Sequence, residues 1–520
     1  MQKQSQLHLF QVISTLVILQ TLSACGEPGY YVSVNGSDDN PGTRNRPFKT
    51  LSKVNNLELK PGDAILLKGG ETFEGTLRVS LTGTPEDSVM VASYGDGKAI
   101  IDGKNKEAII IHGTYFRLEN IHATGSGRKN GNTTNGISLK EASHGVVENI
   151  KTEGFQKSGL DLHNSQQIQV KNVVAVNNGF AGIHVGGNDK TKSKKILIKD
   201  CLADNNAGDP TNLDNHSGNG ILVSMSDSVV IDHCLATNNG WDMPRIGNGP
   251  VGIWAYESSN LIFQYCISYG NKTSKGSKDG GGFDLDGGIT NSIIQYCLSY
   301  DNEGAGYGLF QYAGASLWYN NVVRYCLSIN DATTTEGSGG IFIWNGAEDS
   351  LQLADCIVHN NLVYATKNPA VQFEPKSLNK NFKFYNNIII GTADVVNGPT
   401  SGEKFLGNIW WSSNDAVMRF RGFESLTSWS DATGQEMLNG ATVGRQVNPL
   451  LKGPLITKLT DPYDLETLLG YTLLAQSPLI NSGLKIDSLS HIPFAKKDFY
   501  GTTIPQGENP EPGVYEWEEE

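Results

Sequence analysis

From Gly136 to about residue 395 the chain repeats one pattern of apolar and polar positions. A glycine opens a short alternating run, a polar turn follows, and a second alternating run ends in Asn-rich sequence. The glycine-led runs are Gly136-Ile-Ser-Leu, Gly159-Leu-Asp-Leu-His, Gly182-Ile-His-Val, Gly220-Ile-Leu-Val-Ser, Gly252-Ile-Trp-Ala-Tyr, Gly282-Phe-Asp-Leu-Asp, Gly306-Tyr-Gly-Leu-Phe, Gly340-Ile-Phe-Ile-Trp and Ala370-Val-Gln-Phe-Glu. Successive openings lie 23, 23, 38, 32, 30, 24, 34 and 30 residues apart. Alternation of this kind predicts β-strands with one buried face. A repeat of this length, whose units cannot bury an apolar face alone, predicts a solenoid. The expected fold class is all-β, a right-handed parallel β-helix with coils stacked at about 4.8 Å.

The second runs reinforce this register. Lys195 to Cys201, Val229 to Cys234, Leu261 to Cys266, Ile293 to Cys297 and Val322 to Cys326 each close on a cysteine. Five cysteines thus fall at one position of consecutive coils, with Val173 before them and Asn361 and Asn387 after. Proteins of oxidising compartments usually pair their cysteines, but this spacing points to an internal ladder of small buried thiols. Asn178, Asn206, Asn239, Asn271 and Asn302 form a second ladder at the next turn, where amides can bond coil to coil. The pattern fades after about residue 395. The expected division is a leader over 1–24, an N-terminal cap over 25–65, the β-helix over 66–412 and a loop-rich C-terminal cap over 413–520.

The first residues change the picture of where the protein works. Lys3 precedes a largely apolar stretch from Leu7 to Leu19, and Leu22-Ser23-Ala24-Cys25 reads as a bacterial lipobox. The expectation is an exported lipoprotein, lipidated at Cys25 and held to the outer membrane or cell surface. No later segment approaches an 18-residue apolar run. Glycine is abundant at 60 residues and charged residues make up only 18%, which suits a chain that turns often. A net charge of −13 argues against a nucleic-acid partner. A monomer is expected.

Alternation places the second and fourth residues after each glycine on the outer face. That stripe carries Asp161 and His163, His184, Trp254 and Tyr256, Asp284 and Asp286, Phe310, Trp344 and Glu374. Aromatic faces stack on sugar rings, while carboxylates and imidazoles bond to hydroxyls. The stripe is therefore read as a solvent-facing saccharide groove. His216 and Arg245, in the two long connections, are expected to stand at its wall. Asp284 and Asp286 project from one face about 6.5–7 Å apart at the backbone. Rotation of the side chains spans the ~5–5.5 Å of a retaining glycosidase pair and the ~6.5–9.5 Å of an inverting one. Like charges this close raise one pKa, giving an acid beside a base. The alternative is a calcium site, with Asp279, Asp301 and Glu303 as the completing ligands.

The segments Tyr30–Thr43, Pro47–Leu51 and Leu59–Asp63 resemble the N-terminal cap of bacterial parallel β-helix polysaccharide-degrading enzymes. Ser477–Gly483, Asp498 and Gly513–Glu516 resemble their closing segment. Residues 279–309 resemble the corresponding coils of the calcium-dependent pectate lyases. They depart at Asp301-Asn302-Glu303-Gly304, which lacks a paired aspartate, and no Lys or Arg stands on the outer face there. The resemblance implies a carbohydrate-active enzyme acting on a polysaccharide or oligosaccharide. Three readings stay open. The favoured one is a glycoside hydrolase using Asp284 and Asp286, with no cofactor. The others are a calcium-assisted lyase in the same groove and a non-catalytic glycan-binding surface protein.

Overall fold

The computed structural model describes residues 29–188, 190–455, 458–486 and 495–518. The expected leader and Cys25 lie outside these residues. One sheet system of 38 strands runs through the chain, every pairing within it parallel. The glycine-led strands stack in unbroken register. Ile109, Ile137, Leu160, Ile183, Ile221, Ile253, Phe283, Tyr307, Ile341, Val371 and Val396 follow one another up the inside of the coil. All are buried in a single internal core. The chain is an all-β right-handed parallel β-helix.

A solenoid must close its ends, or its unpaired edges and core face water. At the N-terminal end the helix Leu51–Val54 lays Leu51 and Val54 on the core, with Thr50 capping the Lys53 N–H at 3.2 Å. At the other end the helix Leu426–Thr433 seats a fully buried Trp429 against Trp410 and stacks it on Phe420 at 5.3 Å. The C-terminal segment runs back along the outside. Leu465, Tyr471, Leu479, Phe499 and Val514 form a second apolar cluster with Ile267, Leu298, Leu327, Leu362 and Ile388 of successive coils.

The ladders are present atom by atom. Asn178, Asn206, Asn239, Asn271 and Asn302 are linked amide to amide at 2.9–3.1 Å, and Asp331 ends the series by accepting from Asn302 at 2.8 Å. The residue before each cysteine turns the corner in the left-handed region, with φ of 56° at Asp200, 50° at His233, 52° at Tyr265, 55° at Tyr296 and 49° at Tyr325. Tyrosine is unusual there. Its cost is offset by stacking of Tyr265 on Tyr296 at 5.1 Å and by the bond from Tyr296 to the Lys497 carbonyl at 2.9 Å.

Cys201, Cys234, Cys266, Cys297, Cys326 and Cys356 are all free and buried. The sulfurs of Cys201 and Cys266 donate to the carbonyls two residues back, both at 3.1 Å. A thiol reagent is therefore expected to modify none of these six in the folded protein and all six after unfolding. A reductant should leave the melting temperature unchanged; a drop would reveal a bridge.

Candidate active site

The outer face of the glycine-led strands carries two rows. Register sets Leu222, Trp254, Asp284, Gly308, Phe342, Gln372 and Asn397 on successive coils. The neighbouring row holds Ser224 and Tyr256, then Asp286, then Phe310 and Trp344. Asp286 follows its strand and is kept in the row by its backbone N–H, which donates to the Ala255 carbonyl at 2.9 Å. From Trp254 and Tyr256 onward the two rows floor a cleft of about 1010 Å³. Its walls carry His216, Arg245, Lys278, Asp279, Glu336 and Tyr312.

The stripe is not the open, solvent-facing strip that alternation alone suggests. Trp254 and Asp284 are each 3% exposed and Phe310 is 7% exposed. The side chains do point outward, but the long connections fold over them. The cleft ends beyond Trp254, where Leu222 is wholly buried among Phe180, Val251 and Trp254.

This burial sets the electrostatics. Asp284 keeps one carboxyl oxygen with no hydrogen-bond partner among the described residues. Desolvation first, then the charges of Asp286 and Asp279, push its pKa well above the ordinary carboxyl range. Burial pushes Asp286 up to about 7, opposed by the Gly287 N–H that donates to its oxygen at 2.7 Å. Asp279, held by the Gly249 N–H at 2.6 Å, is pushed up to about 6 by the same cause. His216 is pushed down to about 3 by burial, helped by the nearby His184 and Arg245. It stays neutral, edge-on to Trp254 at 4.6 Å. Gly308 makes room for the acid: a Cβ there would meet the Asp284 carboxyl carbon at 3.0 Å and the Phe310 ring at 2.8 Å.

Asp284, Asp286, His216, Arg245, Trp254, Tyr256, Phe310, Trp344 and Glu374 come together in this cleft. Asp161, His163 and His184 do not line it. They stand on earlier coils, where Asp161 bonds His184 at 2.7 Å rather than facing a ligand. The grouping of Asp279, Asp301 and Glu303 is not formed. Asp301 sits at a corner with φ of 52° and accepts from Asn330 at 2.6 Å, and Glu303 turns to the Thr273 N–H at 2.9 Å. Among the described residues no three His, Cys, Asp or Glu side chains are arranged to hold a metal ion. Sequence reasoning missed Tyr312 and the wall residues 335–338. The 34-residue spacing from Gly306 to Gly340 was the signal, since it lies between the 38 and 32 residues of the two spacings that hold the long connections.

The class these features define is a right-handed parallel β-helix with a walled, carboxylate-floored cleft on one outer face. The chain belongs to the Pel9A-like right-handed β-helix family, whose family model matches residues 30–330. Among solved structures it is similar to the GH136 lacto-N-biosidase from Eubacterium ramulus, at 16% identity over 73% of this chain and 68% of that one, with a TM-score of 0.51. It is also similar to XylC in its complex with xylose, at 10% identity over 94% and 98% of the two chains, with a TM-score of 0.53. At these identities the likeness is one of fold. "Uncharacterized protein YwoF" of Bacillus subtilis (strain 168) is 29% identical over 92 residues. That match spans 18% of this chain and about a fifth (19%) of that protein's length.

Proposed function

We propose that the protein is a carbohydrate-active enzyme that hydrolyses glycosidic bonds of a polysaccharide or oligosaccharide held in the cleft. The observation that carries this reading is Asp284, a buried carboxyl with an unpartnered oxygen, two residues from Asp286 on an aromatic floor. Solved structures sharing the fold include a lacto-N-biosidase and a xylose complex, which supports a sugar ligand.

Two like charges this close do not both ionise at neutral pH. The Gly287 N–H favours the carboxylate of Asp286, whereas Asp284 has lost more solvent. Asp284 is thus the acid that protonates the leaving glycosidic oxygen, and Asp286 the carboxylate that acts as base or nucleophile. Phe342 and Trp344, the partly exposed aromatics of the floor, supply faces for sugar rings, and the cleft volume lies at the upper end of the ~300–1,000 Å³ usual for ligand sites.

The pH dependence follows from these directions. The rate should rise as Asp286 ionises, through about pH 7, and fall where Asp284, whose pKa burial also pushes well up, loses its proton. Two pH units below that midpoint the ionised fraction is about 1%, ~100-fold below its value at full ionisation. Initial rates of reducing-end release across pH should therefore show a neutral-to-alkaline optimum; an acidic optimum contradicts the assignment. New reducing ends without the ultraviolet absorbance of an unsaturated uronide mark hydrolysis. That absorbance would mark a lyase, and glycan binding without either would mark a binding protein.

A further inference from the structure

The two ends of the cleft differ, and the acidic pair stands close to the closed one. Asp284 lies one coil beyond Trp254. On the coil before Trp254 both rows are covered, with Leu222 wholly buried and Ser224 4% exposed. In the other direction the row runs from Asp284 through Gly308, Phe342 and Gln372 to an exposed Asn397. At about 4.8 Å per coil, the acid has ~5 Å to the closed end and ~19 Å to the open one. A pyranose residue lengthens a glycan by about one coil spacing. One residue therefore fits between the acid and the wall, and several fit on the open side.

The wall is tied down at several points. Asp209, wholly buried, pairs with Lys157 and accepts from the Thr211 N–H and hydroxyl, both at 2.9 Å. Arg128 donates to the Gly208 carbonyl at 3.0 Å, and the Asn212 amide to the His216 carbonyl at 3.0 Å. His216 completes the closed end, and its tautomer is set by two neighbours. An indole N–H only donates, so the Asn219 atom 3.0 Å from Trp254 Nε1 is the amide oxygen. The Asn219 amide nitrogen then donates to the Phe180 carbonyl at 3.0 Å and to His216 Nδ1 at 3.1 Å. With Nδ1 accepting, the hydrogen of the neutral ring sits on Nε2. Because His216 lines the cleft, its Nε2–H is the donor that the closed end offers to a ligand.

We propose that the enzyme is exo-acting: the closed end takes one terminal sugar residue, the His216 Nε2–H binds an oxygen of that residue, and Asp284 and Asp286 cleave the bond behind it. The inference rests on the glycan-hydrolysing reading of the same site. In the step, the glycosidic C–O bond breaks and the leaving oxygen keeps its electron pair and takes the proton of Asp284. One water is consumed. Its hydroxyl goes to the anomeric carbon, and its remaining proton returns to the carboxyl pair. His216 determines specificity for a chain end and takes no part in the bond changes.

The test uses the full chain and its His216→Phe variant on a hexasaccharide of a glycan that the wild type cleaves. The first products from the wild type should be a monosaccharide and a pentasaccharide. A disaccharide with a tetrasaccharide, or two trisaccharides, as first products overturns the inference and leaves the hydrolase reading in place. The released monosaccharide should inhibit the wild type competitively, and His216→Phe about 10-fold more weakly, the worth of one hydrogen bond. Phenylalanine keeps a ring against Phe180 and Trp254, so a residue that only packs would leave this inhibition unchanged. Unchanged inhibition overturns the assignment of His216. A wild type that cleaves no glycan, or that yields an unsaturated uronide, overturns the hydrolase reading and the inference with it.

Discussion

Asp284→Asn is expected to lower kcat by about 10²–10⁴-fold, the range that general acid catalysis supplies, with KM nearly unchanged. Asparagine matches the shape of the side chain but carries no transferable proton. The carboxyl is 3% exposed and one of its oxygens has no partner among the described residues, so no structural hydrogen bond to that atom is lost. Burial of an unpaired ionisable group is costly, and the variant should melt at or above the wild-type temperature. Loss of activity with retained or raised stability separates a catalytic acid from a structural residue. Asp286→Asn should be equally inactive, because the base or nucleophile is gone. Rates on a responsive glycan together with melting curves check both variants. Full activity in both would mean that the chemistry lies elsewhere in the cleft.

The fold was legible because the β-helix writes its register in side chains that must repeat. Each buried amide oxygen is satisfied by its equivalent one coil before it, so Asn178 to Asn302 recur as strictly as the core positions do. The site was legible only in projection. Alternation gave the outward direction of Trp254, Tyr256, Asp284 and Asp286, but exposure depends on where the long connections lie. The path of the loops that bury Trp254 and Asp284 is a tertiary matter. Asp301 and Glu303 were misplaced for a related reason. A single residue in the left-handed region turns the corner at Asp301, so closeness in sequence to Asp284 does not carry it onto the same face.

The largest stability effect is expected at the centre of the amide ladder. Asn271 accepts from the Asn239 N–H at 3.3 Å and from its side-chain amide at 2.9 Å. It donates to Asn302 at 2.9 Å and to Ser268 at 3.0 Å. Asn271→Leu conserves size but strands two donors of Asn239 and takes away a donor that Asn302 uses. At about 1–3 kcal/mol for each of the two orphaned donors, the loss is on the order of 2–6 kcal/mol. Because each coil leans only on its neighbours, denaturant unfolding should lose cooperativity as well as midpoint. The end of the ladder behaves differently. Asp331 is pushed up to about 7 by burial, against the bonds from Asn302 and Ser328. Its pKa is higher folded than unfolded, so the native state binds the extra proton and stability falls as pH rises from the ordinary carboxyl range to about 7. Asp331→Asn removes that loss while keeping an acceptor for Asn302. Relative to wild type, this variant should gain melting temperature at pH 8 and not at pH 4. A gain of equal size at both pH values would show that Asp331 is not the titrating terminus of the ladder.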